Sequence, residues 1–222
     1  MPNGWPNRAC PGSIRPGSKP LPVPARTAGA AECGGWPWLA ARRCCAVTGA
    51  ADLPARLGLR RYLWLGLERS RPWREWRLLA RLWREGLPVP RPLAACVWRR
   101  GWVYEGALLT AAVPGARTLA ERLRDGPLPA VQWRKIGAVL SRFHARGVDH
   151  ADLNAHNILF DAGGAVHLID FDRGRLRRPG GRWARGNLAR LARSLAKLAA
   201  AGAAWSPADW AALLDGYRGG RR

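Results

Sequence analysis

The stretch that most constrains this chain is His150-Ala-Asp152-Leu-Asn-Ala-His-Asn157, followed by two short apolar runs, Ile158 to Phe160 and Ala165 to Ile169. Asp161-Ala-Gly-Gly164 between the runs reads as the turn of a β-hairpin. The polar loop is therefore expected to be held by strands, with Asp170 at the end of the second. Asp152 offers a carboxylate that can accept a proton, while Asn157 and Asp170 offer oxygen ligands for a hard cation. Phosphoryl transfer needs both. On residues alone two other readings stay open: a polar turn hydrogen-bonded for structure, and a metal site built from His150, Asp152 and His156.

The 222 residues suffice for one two-lobed domain or two small ones with a real core. Arginine interrupts each apolar run well short of the ~18 residues a membrane span needs. The start, Met1-Pro-Asn-Gly-Trp-Pro, lacks the apolar core of a secretion signal, so a cytosolic protein is expected. A net charge of +22 points to an anionic partner, although arginines outnumber lysines 34 to 3, a bias that GC-rich codons also produce. Four of the five cysteines (Cys10, Cys33, Cys44, Cys45) precede residue 46 without a CxxC pair, and neither disulfides nor zinc are expected.

Residues 1 to about 52 hold no sustained helical or strand period and read as disordered. From Leu53 the pattern changes. Arg71 to Glu85 carries Trp73, Trp76, Leu79 and Trp83 at helical spacing, with Ser70 as N-cap and Gly86 as stop; the aromatic stripe is expected to face the core. Three prolines follow, then strands at Leu93 to Trp98 and Trp102 to Thr110 around an Arg99-Arg-Gly101 turn. Ala111 to Arg117 reads as a linker, and Thr118-Leu-Ala-Glu121 as a capping box. A helix over Leu128 to Arg146 places Val131, Ile136, Val139, Leu140 and Phe143 on one side and stops at Gly147. Beyond the hairpin come a basic Gly-rich loop, Arg173 to Arg185, a helix from Asn187 to about Ala201, and a last helix opened by Ser206-Pro207 and reaching Tyr217.

The pattern His-x-Asp-Leu-x-x-x-Asn with a second Asp after the next strand resembles the catalytic loop and metal-binding Asp of protein-kinase-like enzymes. That resemblance implies Asp152 as catalytic base, Asn157 and Asp170 as magnesium ligands beside ATP, and His150 as a brace for the loop. Within this fold, Arg74-Glu-Trp-Arg-Leu-Leu79, Gly86-Leu-Pro-Val-Pro90, Asp152-Leu-Asn-Ala-His-Asn157, Leu168-Ile-Asp-Phe-Asp172 and Asp215-Gly-Tyr217 resemble the lipopolysaccharide-core kinases, the 3-deoxy-D-manno-octulosonic acid (Kdo) kinase group, over about three quarters of the chain. The resemblance implies an α+β, two-lobed fold with a mostly helical C-lobe and phosphorylation of the 4-hydroxyl of Kdo on Kdo-lipid A. It also implies a peripheral protein at the cytoplasmic face of the inner membrane of a Gram-negative bacterium. Glu75 would pair with the nucleotide-contacting basic residue of the small lobe. The lipid phosphates and the anionic leaflet would attract Arg173, Arg175, Arg177, Arg178 and Arg182. Asp170-Phe-Asp172 stands where protein kinases have Asp-Phe-Gly, so no activation-loop switch built on that glycine is expected.

The chain departs from the family in its first part, where neither a Gly-rich loop nor a following basic strand residue is present. Joining the last base of each codon to the first two of the next, the codons of residues 44–52 permit a Leu-Arg-Arg-Tyr-Arg-Arg-Gly-Gly run of the kind the family carries there. Residues 1–52 are accordingly expected to be an out-of-frame segment replacing most of the N-lobe, residues 53–112 the remaining N-lobe, and residues 113–222 the C-lobe with the catalytic site. The chain as written is then expected to bind and turn over ATP poorly. Two other functions fit the same residues: another small-molecule kinase of the aminoglycoside or choline type, and a catalytically impaired kinase-like binder of anionic surfaces or RNA. Nucleic acid has little support beyond charge.

Overall fold

The computed structural model describes residues 62–220. The expected out-of-frame segment, with its four cysteines, lies outside the described residues. Within them, five α-helices alternate with short, wholly antiparallel strands, a mixed α and β composition in keeping with the α+β expectation.

Strand β1 (Tyr62–Leu63) adds to the hairpin of β2 (Pro92–Arg100) and β3 (Val103–Thr110), in the order β1-β3-β2. β2 runs on through Arg99 and Arg100, so the turn is Gly101-Trp102 rather than the expected Arg99-Arg-Gly101. Gly101 takes φ +61, which a side chain would strain.

Helix α1 (Arg71–Arg84) lies between β1 and β2 in the chain and packs on the hairpin. Its first turn is set from β3, where the Tyr104 hydroxyl accepts the Arg71 amide at 2.9 Å. Ser70 occupies the N-cap position as expected, but its hydroxyl donates back to Leu67 O at 2.6 Å and caps nothing in the helix. The tryptophan stripe also needs correction. Leu78, Leu79 and Leu82 reach the core, Trp73 and Trp76 stack on each other half-buried, and Trp83 is 46% exposed. The core face lies about one residue round the helix from the line the tryptophans draw.

After a loop over residues 111–116, β4 (Arg117–Thr118) leads into α2 (Leu119–Asp125). The expected capping box is present: Thr118 Oγ1 accepts the Glu121 amide and Glu121 Oε2 accepts the Thr118 amide. Helix α3 (Ala130–Ala145) buries Trp133, Ile136, Leu140 and Phe143, whereas Val131, expected on that face, is 54% exposed. α3 packs most extensively against the last helix, α5 (Pro207–Gly219), itself opened by a Ser206–Asp209 capping box. Glycines let the two backbones meet, since a Cβ on Gly137 would strike Leu213 O and one on Gly216 would strike Arg134 O.

Strand β5 (Val148–Asp149) pairs with β8 (Arg175–Leu176), and the hairpin of β6 (Ile158–Phe160) and β7 (Val166–Leu168) forms as expected, with Ile158 opposite Leu168 and Phe160 opposite Val166. β8 and helix α4 (Arg182–Ala200) both claim parts of the segment expected to be a basic loop. α4 starts five residues before the expected Asn187 because Ala184 packs inward and Trp183 Nε1 donates to Arg178 O, closing the turn before the helix. One apolar cluster runs from Leu79 and Leu82 of α1 through Leu123, Ile136 and Leu153 to Leu191 and Leu195 of α4, and the polar loop after β5 sits on it.

Candidate functional site

The loop from His150 to Asn157 leaves β5 through a tight reversal. Ala151 has φ +59, a conformation that side chains rarely adopt, and it survives because its surroundings fix it. Asp149, almost fully buried, accepts the Ala151 amide on Oδ1 at 3.1 Å and the Arg177 Nε on Oδ2 at 2.6 Å. Asn187 on α4 fits with its amide nitrogen toward Asp149 Oδ1 (3.1 Å) and its oxygen accepting the His150 amide (3.2 Å). These bonds set the backbone from which Asp152 projects.

His150 is 2% exposed, packs 4.6 Å from the Phe171 ring between centroids, and has Nε2 at 2.8 Å from Ile169 O. A carbonyl only accepts, so the proton sits on Nε2. Burial lowers the His150 pKa below its ordinary value, against the hydrogen bond to Ile169 and the charges of Asp170 and Asp152. The ring is therefore a neutral donor tying the loop to the end of β7.

Asn157 provides the second tie. Its Nδ2 donates to Asp152 O at 2.9 Å, and its own carbonyl accepts the Ile169 amide at 3.1 Å. Asn154 Nδ2 donates to the same Asp152 O at 3.1 Å and its side-chain oxygen accepts the His156 amide. Asp152, Asn157 and the residue before Asp170 are thus joined by direct bonds. Asp170 itself is exposed and has φ +61, the second non-glycine residue in the left-handed region among the described residues.

Glu75, on α1, reaches the same place from the other side. Its Oε1 accepts the Phe171 amide at 3.0 Å, so among the described residues its hydrogen bond runs to the Asp-Phe-Asp segment, and Arg71 is the basic side chain whose charge acts on it. Burial first, and then the charge of Asp170, push the Glu75 carboxyl up to about 7, against the lowering effect of the Phe171 amide and of Arg71. One turn earlier Arg71 pairs with Asp172 through two nitrogens.

These bonds link the His150 ring, the Asp152 main chain, Asn157 and Glu75 to the residues on either side of Asp170, and Asp170 itself acts on Glu75 and His150 through its charge. Sequence reasoning missed Arg71, Asp149, Asn187 and Ser194, whose hydroxyl accepts the Ala155 amide at 3.1 Å. Among the arginines expected to face lipid, Arg173, Arg175, Arg178 and Arg182 are exposed, but Arg177 is committed to Asp149.

A loop of this sequence feeding a hairpin that ends in Asp agrees with the kinase-like resemblance of the sequence. Residues 56–217 match the lipopolysaccharide kinase (Kdo/WaaP) family, and the chain belongs to that family. It is similar to proteins named 3-deoxy-D-manno-octulosonic acid kinase. It is 53% identical over 146 residues to that of Xanthomonas axonopodis pv. citri and 52% over 146 residues to that of Xanthomonas campestris pv. campestris (strain B100); each match covers 66% of this chain and 58% of the relative. For Xylella fastidiosa (strain M23) the figure is 51% over 144 residues, or 65% and 57%. The chain thus spans less than three fifths of the length of these curated relatives.

Proposed function

We propose that this protein transfers the γ-phosphoryl group of ATP to the 4-hydroxyl of Kdo on Kdo-lipid A, a step in building the lipopolysaccharide core. The observation that supports the reading is the double tie on Asn157, to Asp152 O and to the Ile169 amide, which holds the loop carrying Asp152 and Asn157 against the residue before Asp170. In this reading residues 113–222 form the catalytic lobe, residues 53–112 what remains of the smaller one, and the acceptor meets ATP between them.

Asp152 accepts the hydroxyl proton as the sugar oxygen attacks phosphorus, and its half-exposed carboxylate is free of the bonds that its backbone makes. Asn157 and Asp170 would hold magnesium. The Asn157 nitrogen is spent on Asp152 O, which leaves its oxygen, and the exposed Asp170 carboxylate adds another; a hard cation takes one or two such ligands and completes its shell with phosphates and water. Held by these two residues, magnesium would supply positive charge against that developing on the transferring group. His150, neutral and buried, keeps the loop in register with Asp170. Glu75 and Arg71 fix the Asp-Phe-Asp segment.

Among the described residues no helix is long and apolar enough to cross a membrane. The reading places the protein peripherally, with exposed Arg173, Arg175, Arg178 and Arg182 toward the anionic inner leaflet of the inner membrane. The test is transfer of labelled phosphate from ATP to Kdo-lipid A, against aminoglycosides and choline as competing acceptors. It is run with the chain as written and with one carrying the neighbouring-frame translation of residues 27–52. Strong transfer to Kdo-lipid A by the second and weak transfer by the first is expected; transfer to choline or an aminoglycoside instead would overturn the assignment.

A further inference from the structure

A cavity of about 410 Å³ opens against the catalytic loop, lined by Asn154, His156, Arg190, Arg193, Ser194 and Lys197. We propose that it is the subsite for an anionic group of the acceptor, an inference that rests on the phosphotransfer reading above and names what fixes the sugar in front of Asp152.

Arg190, Arg193, Ser194 and Lys197 recur at helical spacing and form one face of α4. Ser194 Oγ accepts the Ala155 amide, which pins that face to the loop between Asn154 and His156, the two loop residues that line the cavity. Asn154 in turn donates to Asp152 O, so one wall is bonded directly to the backbone of the proposed base. Asp152, Asn157 and Asp170 do not line the cavity, so it lies beside the loop that carries the proposed base and apart from the proposed metal ligands.

The charges are unbalanced. α4 contains no acidic residue, and the cavity walls contain no carboxylate. Arg71, Arg77, Arg81, Arg117, Arg134, Arg146 and Arg177 pair with carboxylates, while Arg190, Arg193 and Lys197 form no ion pair with any described residue. Like charges three and four residues apart weaken a helix, and an anion between them removes that cost. Codon bias explains abundant arginine, but Lys197 is one of three lysines in the chain. An octulosonic acid carries a carboxylate and lipid A carries phosphates; guanidinium groups suit either oxyanion.

The experiment titrates a soluble, deacylated Kdo–glucosamine disaccharide into the full chain by calorimetry at fixed ionic strength. Three forms are used: phosphates and carboxylate intact, phosphates removed, and carboxylate methyl-esterified. Arg193→Gln combined with Lys197→Gln is expected to weaken the intact acceptor about tenfold or more and to abolish the wild-type preference for whichever anion the subsite reads. Arg124→Gln with Arg218→Gln, outside the cavity, removes the same net charge and is expected to stay within about twofold. The inference is overturned if the cavity variant binds like wild type, if it weakens all three forms equally, if only ATP affinity changes, or if wild type binds none of the acceptors. Anion-dependent binding without phosphoryl transfer, even in the chain carrying the neighbouring-frame translation of residues 27–52, would keep the subsite and sink the reaction. Transfer with an unchanged acceptor KM in the variant would do the reverse.

Discussion

Arg71 and Asp172 are joined across 101 residues of sequence by a two-point ion pair, in which Arg71 Nε donates to Oδ1 at 2.6 Å and a terminal guanidinium nitrogen reaches Oδ2. Arg71 also donates to the Tyr62 hydroxyl at 2.5 Å. One turn along α1, Glu75 holds the Phe171 amide. The helix therefore grips Asp170-Phe-Asp172 at two points, and both lie immediately after the strained φ of Asp170. The carboxylate that replaces the glycine of protein kinases is a clamp in this fold.

Asp172→Asn removes the charge that the Arg71 guanidinium faces. Both side chains are partly exposed, 34% and 22%, so the loss is expected at about 1–2 kcal/mol rather than at the level of a dry pair. Urea unfolding checks it. Arg71→Gln should cost a similar amount, and the double variant should cost less than the sum of the two by about 0.5 kcal/mol or more. Strict additivity would show that the pair does not hold the helix to the segment.

Glu75 makes stability depend on pH in a defined direction. Its carboxyl, raised from 4.5 to about 7, binds more protons in the folded than in the unfolded state between those values, so its contribution falls as pH rises through that window. Glu75→Gln keeps an acceptor for the Phe171 amide and carries no charge. Its stability relative to wild type is expected to be smallest near the lower end of the window and to grow up to about pH 7, levelling above it. His150, with its lowered pKa, works in the opposite sense, since its contribution is lost as pH falls below 6.5; it is present in both proteins and cancels in the difference. Asp170→Asn should lower the Glu75 pKa and shrink the effect, because the Asp170 charge is among its causes. Unfolding free energies across this range decide it, and a flat difference would remove Glu75 as the titrating group.

What could be read from the sequence is what local chemistry dictates. The caps at Thr118 and Ser206 depend on residues three apart, and the β6–β7 hairpin depends on a four-residue turn between apolar runs. The site residues from 150 to 170 stand out because polar groups at fixed offsets interrupt those runs. The tryptophan stripe misled because helical period marks a face without saying how much of it is buried; Trp73 and Trp76 find shelter by stacking on each other, and the smaller Leu78 and Leu82 enter the core. Arg71–Asp172 and Arg177–Asp149 were hidden because their partners lie 101 and 28 residues away, where spacing carries no signal. The one available hint was Asp172 itself, a charge where related folds have glycine.

Within Asp215-Gly-Tyr217 the three residues should respond very differently to substitution. Gly216→Ala would drive a Cβ into the Arg134 carbonyl of α3, which is backbone and cannot swing aside, so a loss of about 1–3 kcal/mol or more is expected in thermal or urea unfolding. Asp215→Asn breaks an exposed 3.2 Å pair with Arg134 and should change stability by less than about 1 kcal/mol. Tyr217→Phe removes the hydroxyl 2.8 Å from the buried His144 Nδ1 and should fall between them. Equal effects at 215 and 216 would mean that the helices can separate and that the glycine contact does not fix their distance.

Asp152→Asn and Asp170→Asn, placed in the chain carrying the neighbouring-frame translation of residues 27–52, should fold alike and fail differently. Asp152 anchors the loop through its main-chain oxygen, so exchanging its side chain leaves the Asn154 and Asn157 bonds in place. Asp170 sits at φ +61, a conformation that Asn tolerates at least as well. Both variants should therefore melt close to wild type. With no carboxylate at 152 to accept the hydroxyl proton, transfer should fall by about 10²–10⁴-fold while magnesium-dependent nucleotide binding persists. With Asp170 changed, the magnesium dependence of nucleotide binding should itself be lost, since an amide oxygen is a weaker ligand for a hard cation than a carboxylate. Calorimetric titration of ADP with and without magnesium, beside the transfer assay, separates the two. Loss of magnesium-dependent binding in the Asp152 variant would show that the base and the ion are not held by separate groups.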